Sequence, residues 1–100
     1  MIKTGVKLMG IQPVMAIAYT IASDIFREEG VECVITSGLD GVHSRSSRHY
    51  SGLALDFRTR HLPTERHKPV RDKLASALGD EFDCVLESNH IHAEYDPKKY

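Results

Sequence analysis

Hydrophobic positions between residues 13 and 29 recur at helical spacing, and this pattern predicts an amphipathic helix. Pro13 suits the first helical turn and Gly30 suits the end of the helix. The predicted apolar stripe consists of Val14, Ile17, Ala18, Ile21 and Ile25, widened by Met15, Ala22 and Phe26.

A second helix is predicted between the loop that ends at Pro63 and about Leu78. Pro69 is expected in its first turn, and Gly79 is expected to end it. The residues expected on its apolar face are Val70, Leu74 and Leu78.

Alternating and β-branched segments predict four strands, at residues 31–37, 53–58, 82–87 and 91–95. Asn89 is typical of a tight turn between the last two strands. The order α-β-β-α-β-β predicts a single α+β domain, residues 1–100, with a small antiparallel sheet backed by helices.

Composition narrows the functional classes without selecting one. The chain of 100 residues is 41% hydrophobic and 27% charged, with a net charge of −1, so nothing global indicates a nucleic-acid or membrane partner. No signal peptide or transmembrane run is evident, so we expect synthesis in a cytoplasm. We also expect a monomeric protein. Cys33 and Cys84 lie in apolar runs and are expected to be free, buried thiols.

Charge is unevenly distributed along the chain. Residues 43–73 carry six Arg and two Lys against three acidic residues, whereas residues 74–96 carry six acidic residues and no Lys or Arg. Two explanations remain open at this level. The two regions complement each other within the fold, or the basic region forms a cleft that attracts an anionic substrate.

Two histidines and a carboxylate form a candidate Zn²⁺ site. His49 and Asp56 are seven residues apart, and Gly52 permits a tight turn between them. His90 and His92 are two residues apart on one predicted strand and therefore point to the same face. Imidazole and carboxylate ligands without thiolate favour a catalytic zinc site, in which His49, Asp56 and His92 leave a fourth position open for water.

The neighbouring residues supply candidate acid–base and substrate-binding groups. Glu87 is the candidate general base for the zinc-bound water, and His90 is placed to orient that water or stabilise an oxyanion. His43 is a further candidate catalytic residue. The candidates for binding a substrate carboxylate are Arg45, Arg48 and Arg58. The alternative is that these histidines are surface residues that bind no metal, because a lone His-x-His pair on a strand is commonly a surface feature.

These residues also carry a family resemblance. The segments Ser47-x-His49-x-x-Gly52-x-Ala54-x-Asp56 and His90-x-His92 resemble the signature of the M15-type zinc peptidase superfamily. That superfamily groups D-Ala-D-Ala carboxypeptidases and dipeptidases, phage L-alanyl-D-glutamate endolysins and the signalling domain of hedgehog. The similarity is close over residues 36–58 and 84–95, and elsewhere it extends only to element order.

The resemblance implies a hedgehog-like or D-Ala-D-Ala-peptidase-like fold. It also implies the ligand and acid–base roles suggested above for the individual residues. His49, Asp56 and His92 would be the zinc ligands, Glu87 the acid–base carboxylate, and His90 and His43 cleft residues. One departure concerns the Ser-Gly-Tyr-Arg segment of the peptidases, which reads Ser37-Gly38-Leu39-Asp40 here. The arginine that often holds the substrate carboxylate is therefore missing from that place.

The expected function is that of a zinc metallopeptidase which hydrolyses a peptide bond in peptidoglycan stem peptides. A phage or bacterial enzyme without a signal peptide would act on the cell wall after lysis or phage-mediated delivery. The alternative is a non-catalytic, zinc-containing binding or structural module of hedgehog-like fold. A nucleic-acid-binding role is disfavoured, because the basic region lacks a recognition-helix pattern and aromatic residues suited to base stacking.

Overall fold

Two helices and four strands make up the part of the chain that this computed structural model describes, residues 1–6, 8, 11–38 and 52–97. The elements are α1 (Pro13–Glu28), β1 (Ile35–Ser37), β2 (Ala54–Arg58), α2 (Thr64–Leu78), β3 (Phe82–Leu86) and β4 (His90–Tyr95). The strands form one sheet in the order β1-β2-β4-β3, and every neighbouring pair is antiparallel. The predicted α+β class, element order and antiparallel sheet are confirmed.

The sheet has one apolar face and one polar face because successive side chains of a strand alternate between faces. Leu55 and Phe57 of β2, together with Ile91 and Ala93 of β4, are buried in the same core cluster as the apolar residues of both helices. The residues between them, including Asp56 and His92, therefore belong to the opposite face. The candidate chemistry lies on this second face.

The five residues that α1 buries all belong to the predicted apolar set, but the stripe they form is shifted from its predicted centre. Its buried residues are Met15, Ala18, Ala22, Ile25 and Phe26. Ile17, which was expected in the core, is 62% exposed, and Val14 and Ile21 are only partly buried. The reason is that α1 is apolar around much of its circumference, so periodicity alone did not define which stripe would pack against the sheet and α2.

Gly30 ends α1 in a Schellman motif. The N–H of Gly30 donates to the carbonyl of Arg27 at 2.9 Å, and the N–H of Val31 donates to that of Phe26 at 3.2 Å. Gly30 has a φ of 82°, which glycine adopts without the steric cost of a Cβ. Strand β1 begins at Ile35, later than the predicted residue 31.

Helix α2 corrects the predicted position of Pro69, which lies inside the helix instead of in its first turn. The helix begins at Thr64, directly after Pro63, and the proline costs it one backbone hydrogen bond. Val70 and Leu74 are fully buried, as predicted. Their burial offsets the missing hydrogen bond and keeps the helix continuous as far as Gly79.

A tight turn joins β3 to β4, as the position of Asn89 predicted. The N–H of Glu87 donates to the carbonyl of His90 at 2.8 Å, which leaves Ser88 and Asn89 as the two residues of the loop. Both cysteines are free; Cys33 is buried and Cys84 is partly buried. None of the helices in the described ranges is long and apolar enough to cross a membrane.

Candidate functional site

The register of the two central strands brings Asp56, His90 and His92 together. Asp56 of β2 lies directly opposite His92 of β4, and Arg58 lies opposite His90. Cross-strand neighbours in an antiparallel pair have side chains on the same face at close range. Two segments that are 36 residues apart in sequence therefore form one polar row.

Hydrogen bonds hold this row in a defined arrangement. His92 Nδ1 donates to Asp56 Oδ1 at 2.9 Å, and His92 Nε2 donates to Glu94 Oε1 at 2.7 Å. His90 Nε2 lies 3.6 Å from Asp56 Oδ2, while its Nδ1 contacts Asn89 Oδ1 at 2.7 Å. Asp56 thus presents one oxygen to each histidine.

The row is largely shielded from solvent, and this strengthens its electrostatics. The side chains of Asp56 and His92 are 11% and 19% exposed. The hydrogen bond with Asp56 is the main cause that raises the pKa of His92 to about 9, with a further contribution from Glu94 and an opposing one from burial. His92 without a metal is therefore an imidazolium at neutral pH, and both of its ring nitrogens carry a proton.

A β-bulge in β1 extends the row on its other side. Ile35 lies opposite Phe57, but Ser37, two residues later, lies opposite Asp56, the immediate neighbour of Phe57. The extra residue, Thr36, changes the alternation, so that Ser37 pairs with a residue of the polar face although Ile35 pairs with one of the core face. Ser37 becomes part of the surroundings of Asp56.

A cavity of about 330 Å³ opens beside Asp56 and His90. Three of its lining residues are cationic, namely Lys3, Arg58 and Arg60. The N–H of Lys3 donates to the carbonyl of Ile35 at 2.9 Å, which attaches the N-terminal segment to β1. The cavity therefore combines a carboxylate–histidine pair with positive charge suited to an anionic group.

The cations of α2 have other partners. Arg66 and Lys73 contact Glu29, the residue that caps the C-terminal end of α1, and Lys68 contacts Asp72. In the described part of the chain, the basic region is thus divided between ion pairs with α1, ion pairs within α2 and the cavity. The partners of these three cations, Glu29 and Asp72, lie outside residues 74–96, so the predicted complementarity between the two charged regions does not account for them. Attraction of an anionic substrate to the cavity stays a prediction.

Glu87 lies at the end of β3 and is exposed. Its backbone hydrogen bond with His90 continues the β3–β4 register, in which Val85 lies opposite His92. Because Glu87 and Val85 are two residues apart, alternation places Glu87 on the polar face that carries both histidines. The candidate base and the candidate ligands therefore share one face.

Four of the candidate residues lie outside the described residues. They are the candidate ligand His49, the candidate catalytic His43, and two of the candidate substrate-binding residues, Arg45 and Arg48. Gly52, just after this segment, has a φ of 74°, which accords with the turn expected between His49 and Asp56. Asp56, Arg58, Glu87, His90 and His92 are described, and all belong to the polar face.

An acidic group adjoins the row on the side away from the cavity. Ligand atoms of Asp83, Glu94 and Asp96 lie within 4.8 Å of one another. Partly exposed carboxylates of this kind commonly occur without a metal ion. Glu94 belongs both to this acidic group and to the polar row, where it contacts His92.

The residues that sequence reasoning missed around the site are Glu94, Lys3, Arg60 and Ser37. Alternation along β4 was a usable signal for Glu94, because His90, His92 and Glu94 follow each other at intervals of two. Lys3 had no comparable signal, because only tertiary structure brings the N-terminal segment to β1. The same is true of Ser37, whose position depends on the bulge.

The arrangement offers adjacent oxygen and nitrogen donors for a metal ion, a second histidine and an exposed carboxylate. Comparison with known proteins does not decide between the chemistries this permits. No protein-family model matches the sequence, and no curated protein matches it.

Proposed function

We propose that this protein is a zinc-dependent metallopeptidase with a hedgehog-like or D-Ala-D-Ala-peptidase-like fold, and that its substrates are peptidoglycan stem peptides. The observation that carries the proposal is the pairing of Asp56 with His92, whose facing donor atoms are 2.9 Å apart. Zinc ligands at about 2.0–2.1 Å in a tetrahedron are separated by roughly 3.3 Å. A small movement apart would accommodate an ion between these two donors.

His49 is the proposed third ligand, on the strength of its spacing from Asp56 in the motif. A set of two imidazoles and one carboxylate suits catalytic zinc, since it contains no thiolate and leaves a position open. A bound zinc ion would supply a Lewis acid and lower the pKa of a coordinated water towards about 7.

The protein's own residues would then move protons and orient the substrate. Glu87 accepts a proton from the attacking water, as its exposure and its place on the polar face permit. His90, held at its Nδ1 by Asn89, directs Nε2 towards Asp56 and is suited to stabilising developing negative charge.

The proposed enzyme would reach its substrate in the cell wall after lysis or phage-mediated delivery.

Substrate orientation is proposed to depend on the cationic cavity. Arg58, with Lys3 and Arg60, lines the space beside Asp56 and His90. A carboxylate of a stem peptide bound there would lie close to the reacting groups. These cations are therefore candidates to replace the arginine missing from the Ser37-Gly38 segment.

Mass spectrometry of purified muropeptides after incubation with zinc-loaded protein tests the function directly. Cleavage of a peptide bond that is suppressed by a chelator and restored by zinc is the expected result, and the product masses locate the bond. Absence of cleavage on every muropeptide, with zinc bound, would contradict the peptidase proposal and favour the non-catalytic binding module.

Glu87→Gln tests the assignment of the base. The amide keeps the shape of the side chain but does not accept the proton, so we expect zinc content and folding to be retained and turnover to fall by about 10²–10⁴-fold. Glu65→Gln, at an exposed position in the first turn of α2, is the matched control and should remain active. Near-normal turnover in Glu87→Gln would transfer the role to His90 or His43.

A further inference from the structure

We propose that Glu94 is a positioning residue for the zinc site: it accepts a hydrogen bond from His92 Nε2 and thereby presents Nδ1 of the same ring to the metal. The inference rests on the zinc site of the proposed function and extends it to a residue outside the ligand motif. It specifies which atom of His92 binds the ion and which side chain determines that choice.

The two nitrogens of His92 have different partners on opposite sides of the ring. Nδ1 faces Asp56 at 2.9 Å, and Nε2 faces Glu94 at 2.7 Å. Because Asp56 is itself a proposed ligand, the nitrogen that faces Asp56 is the one that would bind the metal. Nε2 is directed away from that position and is already engaged by Glu94.

A neutral histidine that binds a metal through one nitrogen carries its proton on the other. That N–H requires an acceptor in a partly buried site, and a carboxylate both fixes the orientation of the ring and increases the basicity of the ligand. Glu94 meets this requirement because it lies two residues after His92 on the same face of β4. Its side chain is 22% exposed, so its interaction with His92 is only partly screened by solvent.

Proton balance follows from the two hydrogen bonds. His92 Nδ1 contacts Asp56, and Nε2 contacts Glu94. A nitrogen that binds zinc must carry no proton, so ligation through Nδ1 would release to solvent any proton held there. The Nε2 proton remains in place, and its hydrogen bond to Glu94 is kept.

Long-range ¹H–¹⁵N NMR of the zinc-loaded protein tests the geometry without any assay of activity. We expect His92 to show a protonated Nε2 and a metal-bound Nδ1. A metal-bound Nε2 would overturn the proposal, because Glu94 would then have no N–H to accept.

Zinc affinity measured by chelator competition tests the contribution of Glu94. Loss of such an outer partner typically weakens metal binding by about 10–100-fold, which we expect for Glu94→Ala. Glu94→Gln keeps an oxygen that accepts the Nε2 hydrogen bond, so it should recover part of the loss and preserve the NMR pattern of the wild type. An affinity of Glu94→Ala equal to that of the wild type would contradict the inference, as would a Glu94→Gln variant that recovers none of the loss.

Asp83→Asn is the matched control for charge. Asp83 lies opposite Glu94 in the β3–β4 register, so its substitution removes the same charge from the same face. We expect its affinity to remain near that of the wild type. An equal loss in Asp83→Asn and Glu94→Ala would show a general electrostatic effect and would overturn the specific role of Glu94.

The same measurements separate this inference from the proposed function. Wild-type protein that binds no zinc would overturn both. Wild-type protein that binds zinc with a protonated Nε2, but cleaves no muropeptide, would support the role of Glu94 and contradict only the peptidase activity.

Discussion

Asp56 is the only charged residue among those described that is buried, with 8% of its surface exposed. A buried carboxylate is costly unless it is paired and hydrogen-bonded, and here two histidines approach its two oxygens. Such enclosure within the central strand of a sheet is unusual for a residue that contributes only to solubility. The burial of Asp56 therefore favours a role in binding, and the role that we propose is ligation of a metal ion.

Substitution of Asp56 by Asn should abolish stoichiometric zinc binding, because the amide keeps the volume of the side chain but is a poor metal ligand. Zinc should raise the melting temperature of the wild type, since a ligand at 100 times its Kd stabilises by about 2.7 kcal/mol, and a chelator should lower it again. Neither change should occur in Asp56→Asn.

Metal analysis and thermal melts with and without zinc check this prediction. Asp80→Asn, at an exposed position before β3, should behave like the wild type. Stoichiometric zinc in purified Asp56→Asn would show that the ligand set is wrong.

The two sides of α1 make different contributions to stability although both are apolar. Ile25 is 6% exposed and belongs to the core, whereas Ile17 is 62% exposed. The helix must place Ala18 and Ala22 against its neighbours, and both of these small residues are fully buried. The stripe that packs combines these alanines with the larger Met15, Ile25 and Phe26, and Ile17 lies outside it.

Identical substitutions on the two sides should have different effects. Ile25→Ala removes buried methyl and methylene groups and should lower the free energy of unfolding by about 2–5 kcal/mol. Ile17→Ala changes a largely exposed side chain and should stay within about 0.5 kcal/mol of the wild type. Chemical denaturation of both variants provides the measurement, and a cost at Ile17 equal to that at Ile25 would show that α1 packs through the predicted stripe after all.

An ion-pair group joins the C-terminal end of α1 to α2. Arg66 Nε and Nη2 donate to the two carboxylate oxygens of Glu29 at 2.8 and 2.9 Å, and Lys73 Nζ lies 3.4 Å from Glu29 Oε2. The hydrogen bonds with Arg66 are the main cause that lowers the pKa of Glu29 to about 2. Glu29 is only 10% exposed, whereas Arg66 is 41% exposed, so solvent screens part of the interaction.

Stability should therefore depend on pH through Glu29. Because the folded-state pKa is lower than the usual value of 4.5, the stabilisation is fully present above that value and is lost as the pH falls towards about 2. Arg66→Gln should lower the melting temperature at pH 6, and its difference from the wild type should shrink by pH 3.

Melting temperatures across this pH range check the prediction. Lys68→Gln removes a charge from the same helix but only from an exposed pair with Asp72, so it should have little effect at any pH. A difference between Arg66→Gln and the wild type that stays constant with pH would mean that the charge of Glu29 does not account for it.

Local patterns in the sequence were sufficient for the elements and for part of the candidate site. Proline at the start of α1, glycine at the ends of both helices and Asn89 in the hairpin act within a few residues, so their effects could be predicted from neighbours alone. Strand alternation likewise placed His90 and His92 on one face, and the burial of Val70 and Leu74 followed from helical spacing. The interior position of Pro69 was missed because packing of those two residues outweighs one lost hydrogen bond.

Tertiary structure decided whatever depends on contact between distant segments. Strand register set Asp56 opposite His92, the bulge at Thr36 brought Ser37 into the same row, and pairing along β1 carried Lys3 to the cavity. Packing also selected Ala18 and Ala22 over Ile17 on a helix whose apolar surface is wider than its contact. The physical reason is common to all of them: local periodicity determines which side chains share a face, but only the competition of all elements for one core determines which faces meet.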